Sequence, residues 1–218
     1  MTKYSLLVFD WDGTLIDSKA QIVNCMQSTI SSLKLEARSD EQISDIIGLG
    51  LDEAIMSLYP QITQGEVKQC AQAYREHFLT KDKTPSPLFK GVKTVLDTLK
   101  QSGYDLAIAT GKSRRGLDKG IIDTGLQGYF PITRCADETR SKPHPQMLEE
   151  ILVDHNTTAN KVLMIGDSEY DLQLANNTKV DALAVSYGVH NLMRLLKQDP
   201  AGFIDDINQL PQWLEDHG

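Results

Sequence analysis

The composition of the chain already excludes several classes of protein. Its 218 residues can form one domain that carries a smaller insertion, with a substantial buried core. The formal net charge of -8 argues against a nucleic-acid or anionic-membrane partner, since either would need a basic patch. The three cysteines lack CxxC spacing, so neither a disulfide framework nor a zinc site is expected, and a cytoplasmic location is the expectation.

The chain opens with a strand that ends in two carboxylates. Residues 4–9 form an apolar run typical of a strand buried on both faces of a parallel sheet. The run is short, lacks a basic leader and is interrupted by Asp10, which indicates neither a signal peptide nor a membrane span. Ligands bind at the carboxyl ends of such strands, so Asp10 is a candidate nucleophile and Asp12 a candidate general acid and base. Alone, the segment could equally be an Asp-rich turn.

The segment that follows is predicted to be helical throughout. Its apolar residues recur at helical spacing, and a charged, proline-rich stretch at its end is typical of a hinge. The predicted helices begin after Ser18, a candidate N-cap, and cover residues 22–33, 40–47, 51–59 and 67–78. We therefore expect a helical insert (residues 18–85) within a core formed by residues 1–17 and 86–218.

From residue 88 onward, helical and strand patterns alternate. The predicted helices cover residues 88–99, 114–123, 145–153 and 168–176. The predicted strands cover residues 106–109, 132–135, 162–165 and 180–185. This alternation predicts an α/β fold with a doubly wound parallel sheet.

Polar groups follow several of the predicted strands. Thr110 and Gly111 offer a hydroxyl and a backbone amide that can bind a phosphate oxygen at a helix N-terminus. Asp167 follows a later strand, with Asp171 four residues further on, and Lys142 precedes a helix, where its ammonium could neutralise Asp10 and a phosphate. Each feature alone is more often a helix cap or a solvated lysine. Their coincidence at strand ends favours a functional site.

The acidic residues at these strand ends predict a bound cation. Two carboxylates about 4 Å apart repel by roughly 4 kcal/mol at an effective dielectric constant of about 20. If Asp10, Asp12 and Asp167 meet, a divalent cation would remove this repulsion. Mg²⁺ is expected because it prefers a few carboxylates, waters and a phosphate oxygen to a complete protein cage.

Four segments resemble, in order and spacing, the motifs of the haloacid dehalogenase superfamily. They are Phe9-Asp10-Trp11-Asp12-Gly13-Thr14-Leu15, Ala109-Thr110-Gly111-Lys112, Lys142-Pro143 and Gly166-Asp167-Ser168-Glu169-Tyr170-Asp171. The resemblance spans nearly the whole chain. It implies a Rossmann-like core and identifies the helical insert as similar to the cap of the phosphoglycolate-phosphatase-like branch. The chain departs from the pattern at Gly111, where many relatives carry Asn.

The resemblance implies a Mg²⁺-dependent phosphatase that acts on a small phosphorylated metabolite through an aspartyl-phosphate. Asp10 would be the nucleophile and Asp12 the general acid and base, while Thr110 and Lys142 would hold the phosphoryl group. Asp10, the backbone carbonyl of Asp12 and Asp167 would bind the metal, with Asp171 either a direct ligand or a neighbour. The candidate substrate-binding residues are Thr14, Gly48, Gly50, Gly111 and Lys112, and a monomer or homodimer is expected.

Two other functions stay open at this point. A sugar phosphomutase would share the core but needs insert residues that hold a second phosphate, and the loop at residues 47–51 contains no Arg or Lys. A non-catalytic, phosphometabolite-binding regulatory module is the other alternative. Dehalogenases and phosphonate hydrolases resemble the chain less, because Asp12 has no equivalent task in their reactions. His144, His155 and His190 show no ligand spacing and are predicted to be ordinary surface histidines.

Overall fold

Six parallel strands form the sheet on which the core is built. The computed structural model describes residues 3–217. The strands are β1 Leu6–Phe9, β2 Asp105–Thr110, β3 Ile132–Cys135, β4 Val162–Gly166, β5 Asp181–Val185 and β6 Gly202–Ile204. Their order is β3-β2-β1-β4-β5-β6, and every neighbouring pair is parallel. The predicted doubly wound α/β fold is confirmed.

Helices cover both faces of this sheet. They are α5 Val92–Gln101, α6 Arg114–Thr124, α7 Gln146–Asp154, α8 Glu169–Thr178, α9 Leu192–Leu196 and α10 Leu210–His217, and the first four helices of the chain belong to the helical insert. Leu7 and Phe9 of β1 pack with α5, α6 and α10, whereas Leu6 and Val8 pack with α7, α8 and α9. Both faces of β1 are therefore buried, which explains why its sequence is apolar without alternation.

The helical insert has a hydrophobic cluster of its own. Its helices are α1 Lys19–Ser32, α2 Asp40–Asp45, α3 Leu51–Leu58 and α4 Gln64–Glu76, and α4 runs directly into a π-helical turn, His77–Lys81. Val23, Ile43, Ile55 and Val67 pack together within this cluster. None of the helices within residues 3–217 is long and apolar enough to cross a membrane.

The structure differs from the predicted elements in several places, and helices α9 and α10 were not predicted. Helix α5 begins at Val92 rather than at residue 88, because Gly91 has a φ of 92° and Leu88 forms an antiparallel bridge with Ile16. The sequence pattern also did not predict β6, whose three residues include a glycine and an exposed phenylalanine. It predicted an ordinary helix through Phe78, where the π-helical turn lies.

Candidate active site

The candidate site lies at the carboxyl edge of the sheet, where β1 separates β2 from β4. Asp10 follows β1, Thr110 ends β2 and Asp167 follows β4. The backbone amide of Asp10 donates to the carbonyl of Ile165 at 2.9 Å, which holds the first carboxylate beside the end of β4. Chain connections run in opposite directions on the two sides of β1, and α/β proteins bind ligands at such a crevice.

Asp10 is buried and has one oxygen free for a ligand. Its side chain is 1 % exposed, and Oδ1 accepts a hydrogen bond from Lys142 Nζ at 2.7 Å. Oδ2 is buried without a hydrogen-bond partner among residues 3–217. Burial raises the pKa of the Asp10 carboxyl above its ordinary value, although attraction to Lys142 acts in the opposite direction.

Lys142 joins two of the carboxylates. Its buried Nζ donates to Asp10 at 2.7 Å and to Asp171 Oδ1 at 2.5 Å. Burial acts to lower the pKa of Lys142, but the two carboxylates outweigh it and raise the pKa above its ordinary value. Asp171 Oδ2 accepts from the amide and hydroxyl of Ser168, at 3.0 and 2.6 Å. Asp171 is thus held in place at both oxygens and orients Lys142.

Asp167 is enclosed by backbone on two sides. Its Oδ1 accepts from Thr14 Oγ1 and its Oδ2 from the Val189 amide, both at 2.8 Å. A Cβ at Gly13 or Gly188 would come within 2.2 or 2.1 Å of the Asp167 side chain, so both positions require glycine. Thr14 was predicted to bind substrate. In the structure its buried hydroxyl donates to Asp167, and its binding of substrate stays a prediction.

Three carboxylates of this site can share one cation. Asp10, Asp167 and Asp171 each offer an oxygen, and these oxygens lie within 4.8 Å of one another. Burial, followed by repulsion from Asp10 and Asp171, raises the pKa of Asp167 well above its ordinary value. The unpartnered Asp10 oxygen, the all-oxygen donor set and the unfavourable concentration of negative charge fit a hard divalent cation such as Mg²⁺.

The Asp12 side chain contacts Ser18 and Lys112. Ser18 Oγ donates to Asp12 Oδ1 at 2.6 Å, and Lys112 Nζ lies 2.8 and 2.9 Å from the two carboxylate oxygens. Ser18 precedes α1 as predicted, but its side chain makes no cap hydrogen bond because the hydroxyl is used on Asp12. Lys112, predicted to bind substrate, lines the cavity above the site and pairs with Asp12.

The second predicted motif brings the core against the helical insert. Thr110 is fully buried, and its Oγ1 accepts from the Lys112 amide at 3.2 Å, so its hydroxyl proton can still be donated. Gly111 faces the loop at residues 48–50. A Cβ at Gly111 would lie 2.4 Å from the Leu49 carbonyl oxygen and 2.6 Å from that of Gly48. This close approach explains why glycine stands where many relatives carry Asn.

The loop at residues 48–50 lies against the core at both ends. Gly48 has a φ of 108°, and a Cβ there would come within 2.7 Å of Ser168 Oγ. The Gly50 amide donates to Ser141 Oγ at 2.7 Å. Gly48, Gly50 and Gly111 therefore lie together at the site, as their prediction as substrate-binding residues requires.

Replacing Gly111 by Ala is expected to displace this loop and to lower kcat/KM for a phosphate ester by roughly 10- to 100-fold, since overpacking costs about 1–3 kcal/mol. Steady-state kinetics and the melting temperature would be measured together. Gly65→Ala in α4 is the matched control, because a Cβ there would meet only Thr63 Oγ1, at 4.0 Å. Unchanged kinetics for Gly111→Ala would mean that turnover does not need the loop in this position.

A polar contact between insert and core was missed in the sequence. The Asp45 carbonyl accepts from Tyr170 Oη at 3.0 Å and lies 3.1 Å from His190 Nε2, and Arg194 pairs with the Asp45 carboxylate. His190 is not a surface residue as predicted. It is 3 % exposed, burial lowers its pKa, and its Nδ1 accepts from the Glu169 amide, so Nε2 carries the proton. His144 and His155 are partly exposed.

Comparison with known proteins identifies the family. The sequence model of the haloacid dehalogenase-like hydrolases matches residues 7–185, and the chain belongs to this family of hydrolases. It is 30% identical over 215 residues to the "Probable phosphatase IndB" of Dickeya dadantii (strain 3937), covering 94% of this chain and 91% of that protein. It is 27% identical over 218 residues to the phosphoglycolate phosphatase of Vibrio cholerae, covering 96% of each chain.

A solved structure confirms the resemblance of the fold. A haloacid dehalogenase-like hydrolase from Bacteroides fragilis superimposes with a TM-score of 0.90 at 25% identity, covering 95% of this chain and 100% of that one. The family membership expected from the four motifs is therefore confirmed.

Proposed function

We propose that this hydrolase is a Mg²⁺-dependent phosphatase that cleaves a small phosphate monoester through a phosphoaspartate on Asp10. The proposal rests on the contacts of the two Asp10 carboxylate oxygens. Lys142 holds one of its oxygens, its other oxygen is unpartnered, and Asp12 and Thr110 line the same cavity. The phosphatase names of the relatives from Dickeya dadantii and Vibrio cholerae support the same class of reaction.

The charges of the site support a role for the metal. Four carboxylates (Asp10, Asp12, Asp167 and Asp171) lie beside two ammonium groups (Lys112 and Lys142). We assign the cation to Asp10 and Asp167, with the Asp12 carbonyl as a further ligand. We assign Asp171 to Lys142, because one Asp171 oxygen pairs with that ammonium and the other accepts two hydrogen bonds from Ser168. Each Asp167 oxygen accepts only one hydrogen bond, from an uncharged donor. When bound, Mg²⁺ would neutralise charge on the phosphoryl oxygens during transfer.

The residues of the chain account for both chemical steps. The Asp10 carboxylate attacks phosphorus, and the bond from phosphorus to the ester oxygen breaks while protonated Asp12 gives its proton to that oxygen. The Asp12 carboxylate then takes a proton from water. The water oxygen attacks phosphorus, the bond to Asp10 breaks, and inorganic phosphate leaves with both carboxyl groups restored. Thr110 and Lys142 hold the phosphoryl group in line during both steps.

We propose that the Lys112 side chain moves during these two steps. Its ammonium contacts both Asp12 oxygens and lines the cavity, so a phosphate bound beside Asp12 lies within its reach. If the Lys112 ammonium moved from Asp12 to the phosphate, the Asp12 carboxyl would be free to transfer a proton. Lys112 thereby remains a substrate-binding residue in the proposal, in addition to its contact with Asp12.

The cavity favours hydrolysis over the phosphomutase alternative. Among the residues that the structure describes, the cations that line it are Arg75 and Lys112, and each lies beside a carboxylate, Asp52 at 3.9 Å and Asp12 at 2.8 Å. A second phosphate on a sugar would need a further cation. The free Asp10 oxygen likewise favours an enzyme over a silent binding module.

The proposal predicts Mg²⁺-dependent hydrolysis of p-nitrophenyl phosphate or acetyl phosphate. Excess chelator should abolish turnover and added Mg²⁺ should restore it, while Ca²⁺ should substitute poorly because its coordination is longer and looser. Phosphate release would be measured with each cation. Full activity in chelator, or no activity with any divalent cation, would contradict the proposed function.

A further inference from the structure

The cavity above Asp10 has an apolar outer wall. Its volume is about 210 Å³, and it opens from Asp10, Asp12 and Thr110 toward the helical insert. The insert contributes the side chains of Ile22, Met26, Leu49, Tyr74, Phe78 and Leu79. Pockets for drug-sized ligands usually measure about 300–1,000 Å³, so this one suits a small molecule whose phosphoryl end meets Asp10 and whose other end meets the insert.

The π-helical turn builds part of this wall. It follows α4 without a break and carries Phe78 and Leu79, both of which line the cavity. Tyr74, the one aromatic residue of α4, stacks on Phe78 with 5.8 Å between ring centroids and 22° between ring planes. Single π-turns often occur at functional sites because they redirect side chains that a regular helix would place elsewhere. Here the redirected side chains are apolar.

Within residues 3–217, each of the two cations that line the cavity already lies beside a carboxylate. Arg75 and Lys112 have the carboxylate neighbours already described, and Lys112 also lies 4.5 Å from the centroid of the Phe78 ring. The cavity is lined in addition by Glu53 and Asp137. Five carboxylates and two cations line the cavity, so a carboxylate on the substrate would enter a space with an excess of negative charge beside an apolar wall. Burying a further negative charge there is unfavourable.

From these features we infer that the preferred substrate is the phosphate monoester of a neutral, largely apolar alcohol. The apolar outer wall, which includes Tyr74 and Phe78, recognises the alcohol. The inference rests on the proposed phosphatase function. It separates this chain from its relatives named phosphoglycolate phosphatase, since the alcohol in phosphoglycolate carries a carboxylate. An aromatic or branched alcohol would bury its surface against Tyr74, Phe78 and Leu79.

Two substrates that differ in one group test the inference. Benzyl phosphate and 4-carboxybenzyl phosphate have the same phosphorylated carbon and the same ring, and only the second carries a charge at the far end. With wild-type enzyme and Mg²⁺, kcat/KM for benzyl phosphate should exceed that for the carboxylated ester by about tenfold or more. 2-Phosphoglycolate, measured alongside, should also be a poorer substrate than benzyl phosphate.

A charge placed in the wall should reverse this preference. Leu79 is half-buried on the π-helical turn, and Leu79→Lys should lower kcat/KM for benzyl phosphate while raising it for 4-carboxybenzyl phosphate. Gln72→Lys, on the exposed surface of α4, adds the same charge away from the cavity and should leave both values unchanged. Arg75→Gln should also leave the ratio of the kcat/KM values for the two esters unchanged, because Arg75 is not assigned to the substrate.

The outcomes distinguish the two proposals. Equal rates on the matched esters, or faster cleavage of the carboxylated one, would overturn the apolar-substrate inference and leave the phosphatase intact. A selective loss of 2-phosphoglycolate hydrolysis in Arg75→Gln would do the same, by assigning Arg75 to a substrate carboxylate. If neither ester nor acetyl phosphate is hydrolysed with Mg²⁺, the proposed function fails and the inference fails with it.

Discussion

Replacing Asp10 by Asn is expected to abolish turnover, with a fall in kcat of about 10⁴-fold or more. The amide keeps the shape of the side chain but cannot form the covalent bond to phosphorus. Steady-state release of phosphate from acetyl phosphate would measure the loss. Asp171 still holds Lys142 in the variant through its 2.5 Å contact, so the surroundings of position 10 should stay in place.

The stability of the same variant serves as its control. The pKa of Asp10 is raised above its ordinary value of 3.8, so ionising this carboxyl costs folding stability as pH rises above that value. Asn carries no such cost. Without metal at pH 8, Asp10→Asn should therefore melt at the same temperature as wild type or higher, and the difference should shrink as pH falls toward 4. An inactive variant that melts well below wild type would point to misfolding rather than to loss of a nucleophile.

Replacing Asp12 by Asn is expected to lower kcat by about 10²- to 10⁴-fold, the usual contribution of a general acid–base. The two steps should respond differently. The leaving group of p-nitrophenyl phosphate needs little protonation, so attack by Asp10 should be spared more than the later attack of water. The amide oxygen introduced by Asp12→Asn can still accept the hydrogen bond from Ser18, which keeps the side chain in position.

Rapid mixing would reveal this difference in Asp12→Asn. A burst of p-nitrophenol close to one equivalent of enzyme, followed by slow turnover, is the expected result. Ser18→Ala provides a milder comparison, because it removes one hydrogen bond to Asp12 and leaves its carboxylate available. Slow release of p-nitrophenol without a burst would assign Asp12 to the first step alone.

The core of the fold could be predicted because its signals are local. The apolar run before Asp10, and the similar run at residues 162–165, are strands whose length and composition suit burial on both faces. Parallel strands present their carboxyl ends at one edge, so Asp10, Thr110 and Asp167 could be expected from the sequence to meet there. Lys142 was also anticipated beside Asp10, and the 2.7 Å contact agrees with that expectation.

Other features depend on tertiary contacts that no local pattern encodes. The Ser18 hydroxyl could have capped α1 or contacted Asp12, and only the path of the chain decides between them. His190 is buried because the insert places Asp45 against it, at 3.1 Å from its ring nitrogen. Tyr170 lies within the fourth motif and could have indicated this contact, but Asp45, to whose carbonyl it donates, is 125 residues away in the sequence.

Gly111 is a residue whose role becomes clear only from a tertiary contact. In the sequence it appears as the loss of an Asn side chain that many relatives carry. In the structure the missing Cβ leaves room for the carbonyls of Gly48 and Leu49. The bounds of the insert, residues 18–85, were drawn from the helical spacing of its apolar residues and from the charged, proline-rich stretch at its end, and they stay a prediction. The contact at Gly111 supplies a physical reason to regard that segment as part of the site.

The most direct test of the proposed mechanism is to locate the covalent phosphate. Asp12→Asn would be mixed with p-nitrophenyl phosphate and Mg²⁺, quenched in acid during the slow phase, digested, and its peptides analysed by mass spectrometry, with an Asp10→Asn, Asp12→Asn double variant as the control. The mechanism predicts one phosphoryl group on Asp10 and none in the double variant. A phosphoryl group on any other residue, or continued release of phosphate with none attached to Asp10, would contradict it.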